Sequence, residues 1–246
     1  MIPKLIHYCW FGRNPLPDLA VKCIASWKKY FPEYKIVEWN EDNFDVNIIQ
    51  YTQQAYSIKK YAFVSDYARF WILYNFGGLY FDTDVEVIKS MDDIINRGSF
   101  MGIEVEFNNK PPLVAPGLGL GVSPGLDLYK KILDYYQCMS FFEIDGKPNK
   151  TTVVKHTTNI LIENGLIQSN KIQEVAGVWI YPVDYFNPLN SLTGKLKITD
   201  NTRSIHWYMN SWSDKPKLYL LLSKFSHRIL GLSFNKLKFY INKILA

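Results

Sequence analysis

Two aspartates, Asp82 and Asp84, close the apolar run Gly77-Gly78-Leu79-Tyr80-Phe81 at a spacing of i, i+2. If that run is a strand, both carboxylates can point the same way at its end. Hard oxygen donors in that position can hold Mn²⁺ or Mg²⁺, and the cation can in turn hold a diphosphate. The pattern points to an enzyme that handles a nucleotide-activated substrate, although an isolated Asp-x-Asp is often a pair of solvated turn residues. Asp66 and Arg69 stand i, i+3 and so share a helical face. They are either a local ion pair of little consequence or a pair set over the same cleft. In the second case Asp66 takes sugar hydroxyls and Arg69 braces the sugar or its diphosphate.

His206 opens a dense cluster, His206-Trp207-Tyr208-Met209-Asn210-Ser211-Trp212. A histidine with two carboxylates makes a reasonable divalent-metal set, and Ser211 or Trp212 can contact a diphosphate. Taken alone, His206 reads as a satisfied structural histidine. Trp10 is either a core residue or a platform for a nucleobase. Its place at the end of the first strand favours the platform, because nucleotides settle at the C-terminal ends of strands in α/β sheets. His7 reads as a structural strand residue rather than a catalytic base.

These residues need elements to position them. Lys4 to Tyr8 reads as a first strand. Asp18 is expected to cap a helix from Leu19 to Tyr30, whose apolar face carries Ala20, Ile24 and Trp27. Lys35 to Trp39 follows as a second strand, which makes a βαβ opening. Ser57 to Asn75 gives the strongest helical pattern and ends at Gly77-Gly78, which delivers the chain into Leu79-Tyr80-Phe81. Val85 to Ile88 and Phe100 to Val105 read as strands. Pro111 to Gly125 reads as loop around a short strand. Leu126 to Tyr136 and His156 to Asn164 read as helices. Lys171 to Val175, Trp179 to Pro182 and the stretch around Ser204-Ile205 read as extended.

The 246 residues suffice for one substantial α/β domain, and 48% hydrophobic content suits a globular core. Three scattered cysteines, Cys9, Cys23 and Cys138, offer neither a disulfide framework nor a metal ladder, which favours a reducing compartment. The first residues lack a signal-peptide layout, and no apolar run reaches spanning length. Net charge is +5, but residues after Asp214 carry seven Lys or Arg and no acid, so residues 1–214 hold 21 basic against 23 acidic side chains, net −2. That balance argues against a nucleic-acid-binding body. Leu218, Leu221, Leu222, Phe225, Ile229 and Leu232 recur at helical steps among those cations. The expectation is a catalytic domain over 1–214 and a basic amphipathic helical segment over 215–246. Residues 217–246 of that segment either pack on the domain or lie on an anionic membrane surface.

Ile2 to Gly12, with Trp10 in it, resembles the opening of the bacterial capsular polysaccharide synthesis glycosyltransferases. Ser65-Asp66-Tyr67-Ala68-Arg69 is similar to their Ser-Asp-x-x-Arg helix. Tyr74 to Asp84 is similar to their Tyr-x-x-Gly-Gly-x-Tyr-x-Asp-x-Asp signature, and His206 with Ser211-Trp212 resembles their closing element. The wider family includes the yeast outer-chain α-1,6-mannosyltransferase and, more distantly, the clostridial glucosylating toxins. The resemblance covers residues 2–105 and resumes near 204–212. It implies a GT-A type nucleotide-diphospho-sugar transferase fold, α/β with a mixed central sheet flanked by helices. It places the base near Trp10 and the donor sugar and phosphates near Asp66, Arg69 and Asp82. Metal falls at Asp84, with Asp82 and His206 in the set, and the diphosphate falls near Ser211 and Trp212.

The resemblance also implies a metal-dependent hexosyltransferase, with Mn²⁺ or Mg²⁺ as cofactor, that retains anomeric configuration. UDP-galactose or UDP-glucose is the favoured donor. The acceptor is a glycan, lipid-linked in some relatives, and the setting is capsular or other surface polysaccharide synthesis in the bacterial cytoplasm or at the inner face of its membrane. The competing readings are a GDP-mannose-dependent mannosyltransferase, a nucleotide-sugar hydrolase and a non-catalytic carbohydrate-binding protein. The last leaves the Asp-x-Asp and Asp-x-x-Arg arrangement unexplained. A two-metal phosphatase or nuclease lacks a second carboxylate cluster in the sequence.

Overall fold

Strand β1, Leu5–Cys9, sends Ile6 and Tyr8 to one face of the sheet and His7 and Cys9 to the other. Both faces are buried, so helices must cover the sheet on each side. The computed structural model describes residues 1–107, 110–169 and 171–209. Ser211, Trp212 and the segment 215–246 lie outside the described residues.

The elements after β1 are α1 (Asp18–Tyr30), β2 (Lys35–Trp39), α2 (Gln50–Ser57), α3 (Tyr61–Phe76), β3 (Gly78–Tyr80) and β4 (Val85–Val87). Then come α4 (Asp92–Arg97), β5 (Phe100–Phe107), β6 (Lys110–Ala115), β7 (Leu120–Val122), α5 (Asp127–Gln137) and α6 (Val153–Glu163). The described elements end with β8 (Gln173–Val175), β9 (Val178–Tyr181), α7 (Val183–Phe186) and β10 (Ser204–His206). The main sheet has eight strands in the order β2-β1-β3-β7-β5-β9-β8, with β6 added on β5. The β1–β2, β1–β3 and β5–β9 pairs are parallel, whereas β3–β7, β5–β7, β5–β6 and β8–β9 are antiparallel. The sheet is therefore mixed, as expected. β10 and β4 form a separate antiparallel ribbon.

Helix α1 buries Ala20, Cys23 and Trp27 against β4. Trp27 donates its indole N–H to the Val85 carbonyl at 2.8 Å, and Ser26 Oγ accepts the Val87 N–H at 2.9 Å. Asp18 is the first helical residue rather than its cap. Pro17 holds the extended capping position without a side-chain bond, and Asp18 complements the positive helix end from inside the first turn.

The expected helix from Ser57 is two helices. Ser57 ends α2, Lys59 adopts a left-handed conformation at φ 59°, and α3 starts afresh at Tyr61. The apolar spacing continues across the break, which hides it in the sequence. Phe63, Val64, Tyr67, Ala68, Phe70, Ile72 and Leu73 are buried on α3, and so are Asp66 and Arg69. A helix apolar on nearly all sides belongs in the interior. Gly77 stops it at φ 62°, donating to the Leu73 carbonyl. Gly78 follows at φ 100°, where a Cβ would sit 2.8 Å from the Leu5 carbonyl. Only glycine combines that backbone with such close contact to β1.

The Pro111–Gly125 stretch contains two strands rather than a loop around one. Proline cannot donate to a ladder and so occupies edge strands. Accordingly Pro111 and Pro112 sit in β6, which among the described residues pairs only with β5. Helix α6 packs on β6, and the Val114 N–H finds Thr158 Oγ1 at 2.9 Å.

His7 ties three of these elements together. The Trp39 indole donates to Nδ1 at 3.1 Å, so Nε2 carries the proton and donates to the Gly77 carbonyl at 3.0 Å. Burial holds the imidazole down to about 4 and keeps it neutral. The unfolded chain takes up this proton near pH 6.5, so stability present above about 6.5 drains away as the pH falls towards about 4, by on the order of 3 kcal/mol. Urea unfolding of wild type and His7→Gln near pH 7 and near pH 4.5 should show a much smaller acid loss in the variant. An equal loss in both would assign the acid sensitivity to other groups.

Candidate functional site

Parallel pairing of β1 with β2 and β3 places the C-terminal ends of all three strands at one edge of the sheet. Trp10 leaves β1 there, and Asp82 follows β3 there. A cleft of about 710 Å³ opens at this edge, and Trp10, Asp66, Arg69, Asp82, Asp84 and His206 all line it. The six described candidates, drawn from distant parts of the sequence, therefore share one cavity.

The expectation that Asp82 and Asp84 project alike from one strand needs correction. β3 ends at Tyr80 and β4 begins at Val85, and the aspartates lie in the turn between them, closed by the Val85 N–H on the Asp82 carbonyl at 3.0 Å. The turn gives the two carboxylates different partners.

Asp82 belongs to the Arg69 cluster. Arg69 Nη2 lies 2.8 Å from Asp66 Oδ1 and 3.3 Å from Asp82 Oδ1. Its Nε donates to the Ser65 carbonyl at 3.2 Å, and its guanidinium lies over the Tyr80 ring at 5.1 Å. Tyr80 also donates its hydroxyl to Asp82 Oδ1 at 3.3 Å. Arg69 is almost wholly buried and stays charged. Asp66 is buried too, and that burial pushes its carboxyl up to about 7 because one guanidinium shared with Asp82 compensates only in part. Asp66 is thus a carboxyl balanced between charged and neutral forms near neutral pH, whereas the spacing of Asp66 and Arg69 alone suggested an ordinary pair.

Asp84 belongs to the β10 ribbon. Register pairs His206 with Val85, and the Trp207 N–H bonds the Asp84 carbonyl at 2.9 Å. His206 Nε2 then lies 3.2 Å from Asp84 Oδ1, and the Met209 N–H donates to Oδ2 at 2.7 Å. Burial opposes the Asp84 charge, but these two bonds outweigh it and hold the carboxyl below its usual range. Burial likewise opposes a charged His206. Asp84, with Asp82 and Glu104 behind it, outweighs that burial and raises the imidazole.

Among the described residues, no three His, Cys, Asp or Glu side chains converge as a ready-made metal cage. The donor chemistry nevertheless suits a hard cation. Asp84 is held in its ionised form, Asp82 presents a second carboxylate, and His206 Nε2, 3.2 Å from Asp84 Oδ1, would offer a third donor once its proton is lost. Water and phosphate oxygens would complete such a shell. The Trp10 indole N–H is held by the Asn14 carbonyl at 2.6 Å, which fixes the ring in the cleft wall.

Four cleft residues escaped the sequence reading. Gly117 accepts the Asp82 N–H at 3.0 Å, and a Cβ on it would lie 1.9 Å from Asp82 Oδ2. Glu104 lines the cleft from β5, its carboxyl raised by burial against the pull of His206 and Tyr208. Tyr80 braces Arg69, and the Tyr208 ring lies tilted beside His206 at a centroid distance of 4.2 Å. A carboxylate in the otherwise apolar run Phe100 to Val105 was the one available signal for Glu104.

The Asp84–His206 pair has a definite pH signature in metal-free protein. Asp84, with a lowered pKa, contributes stability above its unfolded value near 4 and loses it in acid. His206, with a raised pKa, contributes below its unfolded value near 6.5 and loses that contribution as the pH climbs through its folded value. His206→Gln should therefore cost most between about pH 4 and 6.5, roughly 2 kcal/mol, and less in mild alkali. Urea unfolding with chelator across that range checks it, and a cost independent of pH would mean that the pair is not ionic.

Residues 17–101 match the family model of the glycosyltransferase sugar-binding region containing the DXD motif, a span that includes Asp66, Arg69, Asp82 and Asp84. Inositol phosphoceramide mannosyltransferase 3 of Schizosaccharomyces pombe is 29% identical over 103 residues, which is 39% of this chain and 28% of that protein. Inositol phosphoceramide mannosyltransferase 1 of the same yeast is 27% identical over 111 residues, 41% of this chain and 33% of that protein. An uncharacterized glycosyltransferase of Acanthamoeba polyphaga mimivirus is 32% identical over 106 residues, 41% of this chain and 42% of that protein. The matched segment spans less than half the length of these curated relatives. Among solved structures, the PaToxG glycosyltransferase aligns over 66% of this chain and 69% of its own, with 18% identity and a TM-score of 0.49. Residues 17–101 are thus similar to a glycosyltransferase sugar-binding region with a DXD motif, and they lie on a mixed sheet flanked by helices that is consistent with the GT-A nucleotide-sugar transferase fold.

Proposed function

We propose that this protein transfers a hexose from a nucleotide-diphosphate sugar to a hydroxyl of a glycan acceptor, with divalent-metal dependence and retention of anomeric configuration. The observation that carries this reading is one cleft holding two adjoining clusters. In one, buried Arg69 is shared by Asp66 and Asp82. In the other, Asp84 is paired with His206. A diphosphate leaving group gains negative charge as the anomeric bond breaks, and fixed positive charge in a low-dielectric cleft stabilises it. Arg69 supplies such charge without reorganisation, because its partners already fix its geometry. Asp66 accepts sugar hydroxyls and orients the ring. Asp84, Asp82 and His206 would hold Mn²⁺ or Mg²⁺, whose chemistry is to neutralise the diphosphate. Trp10 stacks on the base, and Ser211 with Trp212 contacts the diphosphate.

UDP-galactose or UDP-glucose is the favoured donor, in capsular, cell-surface or exopolysaccharide synthesis. A GDP-mannose donor is the second reading, favoured by the names of the two yeast relatives. We favour a lipid-linked acceptor, with the basic segment 217–246 as a membrane contact of a bacterial enzyme working at the inner face of its membrane.

Thermal shift with UDP, GDP and CDP in the presence and absence of Mn²⁺ should show the largest stabilisation with UDP plus metal. A larger shift with GDP would move the assignment to a mannosyl donor, and no shift with any would sink the transferase reading. Asp82→Asn and Gly117→Ala should each lower nucleotide-sugar turnover by at least about tenfold, ~1.4 kcal/mol of transition-state stabilisation. The alanine methyl displaces the Asp82 carboxylate from its place beside Arg69. Both variants should retain cooperative unfolding. Near-normal turnover by Gly117→Ala would show that the carboxylate position does not matter.

A further inference from the structure

Residues 187–199 form a hairpin-like excursion between α7 and β10. Leu189 bridges Leu196, the Asn190 N–H bonds the Lys195 carbonyl at 2.9 Å, and the Lys197 N–H bonds the Pro188 carbonyl at 3.0 Å. Asn190 Oδ1 accepts the Leu192 and Thr193 N–H groups at 3.0 and 2.8 Å, and Gly194 turns the tip at φ 69°. The turn is held by these backbone bonds and by the Gly194 N–H on the Asn190 carbonyl at 2.8 Å. It nevertheless holds Leu192, Leu196 and Ile198 at 59%, 43% and 56% exposure. Lys195 and Lys197 are exposed among them, and the excursion contains no acidic residue.

The excursion is also tied to the cleft. Ser191 lines the cavity and hydrogen-bonds Tyr208, and the Asn187 amide donates to the Tyr208 hydroxyl at 2.6 Å and to the Glu104 carbonyl at 2.9 Å.

We propose that this excursion is a membrane-docking element, its three aliphatic side chains entering the headgroup region of an anionic lipid surface while Lys195 and Lys197 meet lipid phosphates. Its composition separates a lipid from a protein partner. Protein interfaces favour aromatic residues and Arg and are depleted of Lys. This surface has no aromatic or Arg and alternates aliphatics with lysines. Lysine stems lie along apolar surface while their charges stay in water, which suits a lipid boundary. Contact here would set the Ser191 side of the cleft at the bilayer, where a lipid-linked acceptor presents its glycan. That last clause rests on the transferase reading, whereas the membrane contact does not.

The test uses the full chain, without donor, and sedimentation with vesicles of phosphatidylcholine alone or mixed with phosphatidylglycerol. Wild type should sediment with the mixed vesicles and lose binding as salt rises. Lys195→Gln with Lys197→Gln should weaken partition about fivefold per lysine on anionic vesicles, as expected for basic residues at such a surface. Leu192→Ser with Ile198→Ser should weaken it on both vesicle types. All four positions are exposed, so thermal unfolding should stay as in wild type, and a fall in melting temperature for one pair leaves the other pair to decide. Binding by both double variants equal to wild type would overturn the proposal, as would no binding by wild type. Self-association of wild type that the serine pair abolishes, with vesicle binding unchanged, would overturn it in favour of a second copy of the chain. Donor turnover measured alongside reports separately on the catalytic reading.

Discussion

A buried guanidinium governs the centre of this molecule. Arg69 has 4% of its surface exposed, and an unpaired charge at that depth would cost several kcal/mol. Its compensation comes from four places: Asp66 one helical turn earlier, the Ser65 carbonyl, the Tyr80 ring and Asp82. Helix α3 supplies the first two, β3 the ring, and the turn after β3 the second carboxylate. Helix α3 must stop at Gly77 so that β3 can place Tyr80 beneath the guanidinium. The chain must turn after Tyr80 so that Asp82 returns towards it. Gly117 must lack a side chain so that the Asp82 carboxylate fits. The Gly-Gly turn, the buried α3 and the irregular 116–119 segment all take part in holding one positive charge at the strand ends.

The second cluster is built by a different device. Asp84 and His206 are far apart in the chain, and their meeting rests on the short β4–β10 ribbon. Helix α1 clamps β4 through Trp27 and Ser26, and α7 holds the other strand through the Arg203 N–H on the Tyr185 carbonyl at 2.7 Å and Ser204 Oγ on the Phe186 carbonyl at 3.4 Å. The two clusters therefore differ in construction. The Arg69 site is fixed by a helix and the central sheet, and the His206 site by a two-stranded ribbon held between α1 and α7. Under the proposed transfer reaction, a rigid half facing a separately anchored half suits a cleft that admits a bulky donor and releases a diphosphate.

The same division explains the electrostatics. Asp66 shares its cation with Asp82 and is pushed towards neutrality, whereas Asp84 has the His206 ring and a backbone N–H to itself and its carboxyl is held below its usual range. Like residue types thus sit in one cleft with different protonation behaviour, through unequal access to positive charge rather than unequal burial. One carboxyl is suited to hydrogen bonding with sugar hydroxyls and the other to binding a cation.

The sequence by itself determined what depends on local spacing. The strand–helix–strand opening, the stop at Gly77-Gly78, the shared helical face of Asp66 and Arg69, and six of the residues that line the cleft were all legible. Periods of two and 3.6 and the conformational freedom of glycine act within a few residues, so they leave a local mark. The resemblance carried by Ser65 to Arg69 and Tyr74 to Asp84 extended that reading to the mixed sheet. Tertiary structure decided the rest. The break at Lys59 is hidden because apolar spacing runs through it, and β6 is hidden because its prolines are tolerated only once an edge position is known. The division of Asp82 and Asp84 between Arg69 and His206 follows from a turn and a distant ribbon. Gly117 and Glu104 join the site from segments that have no local tie to the signature. Pairings across tens of residues leave no periodic trace in the chain, so only the folded sheet shows which charges share a cavity and which partner each one takes.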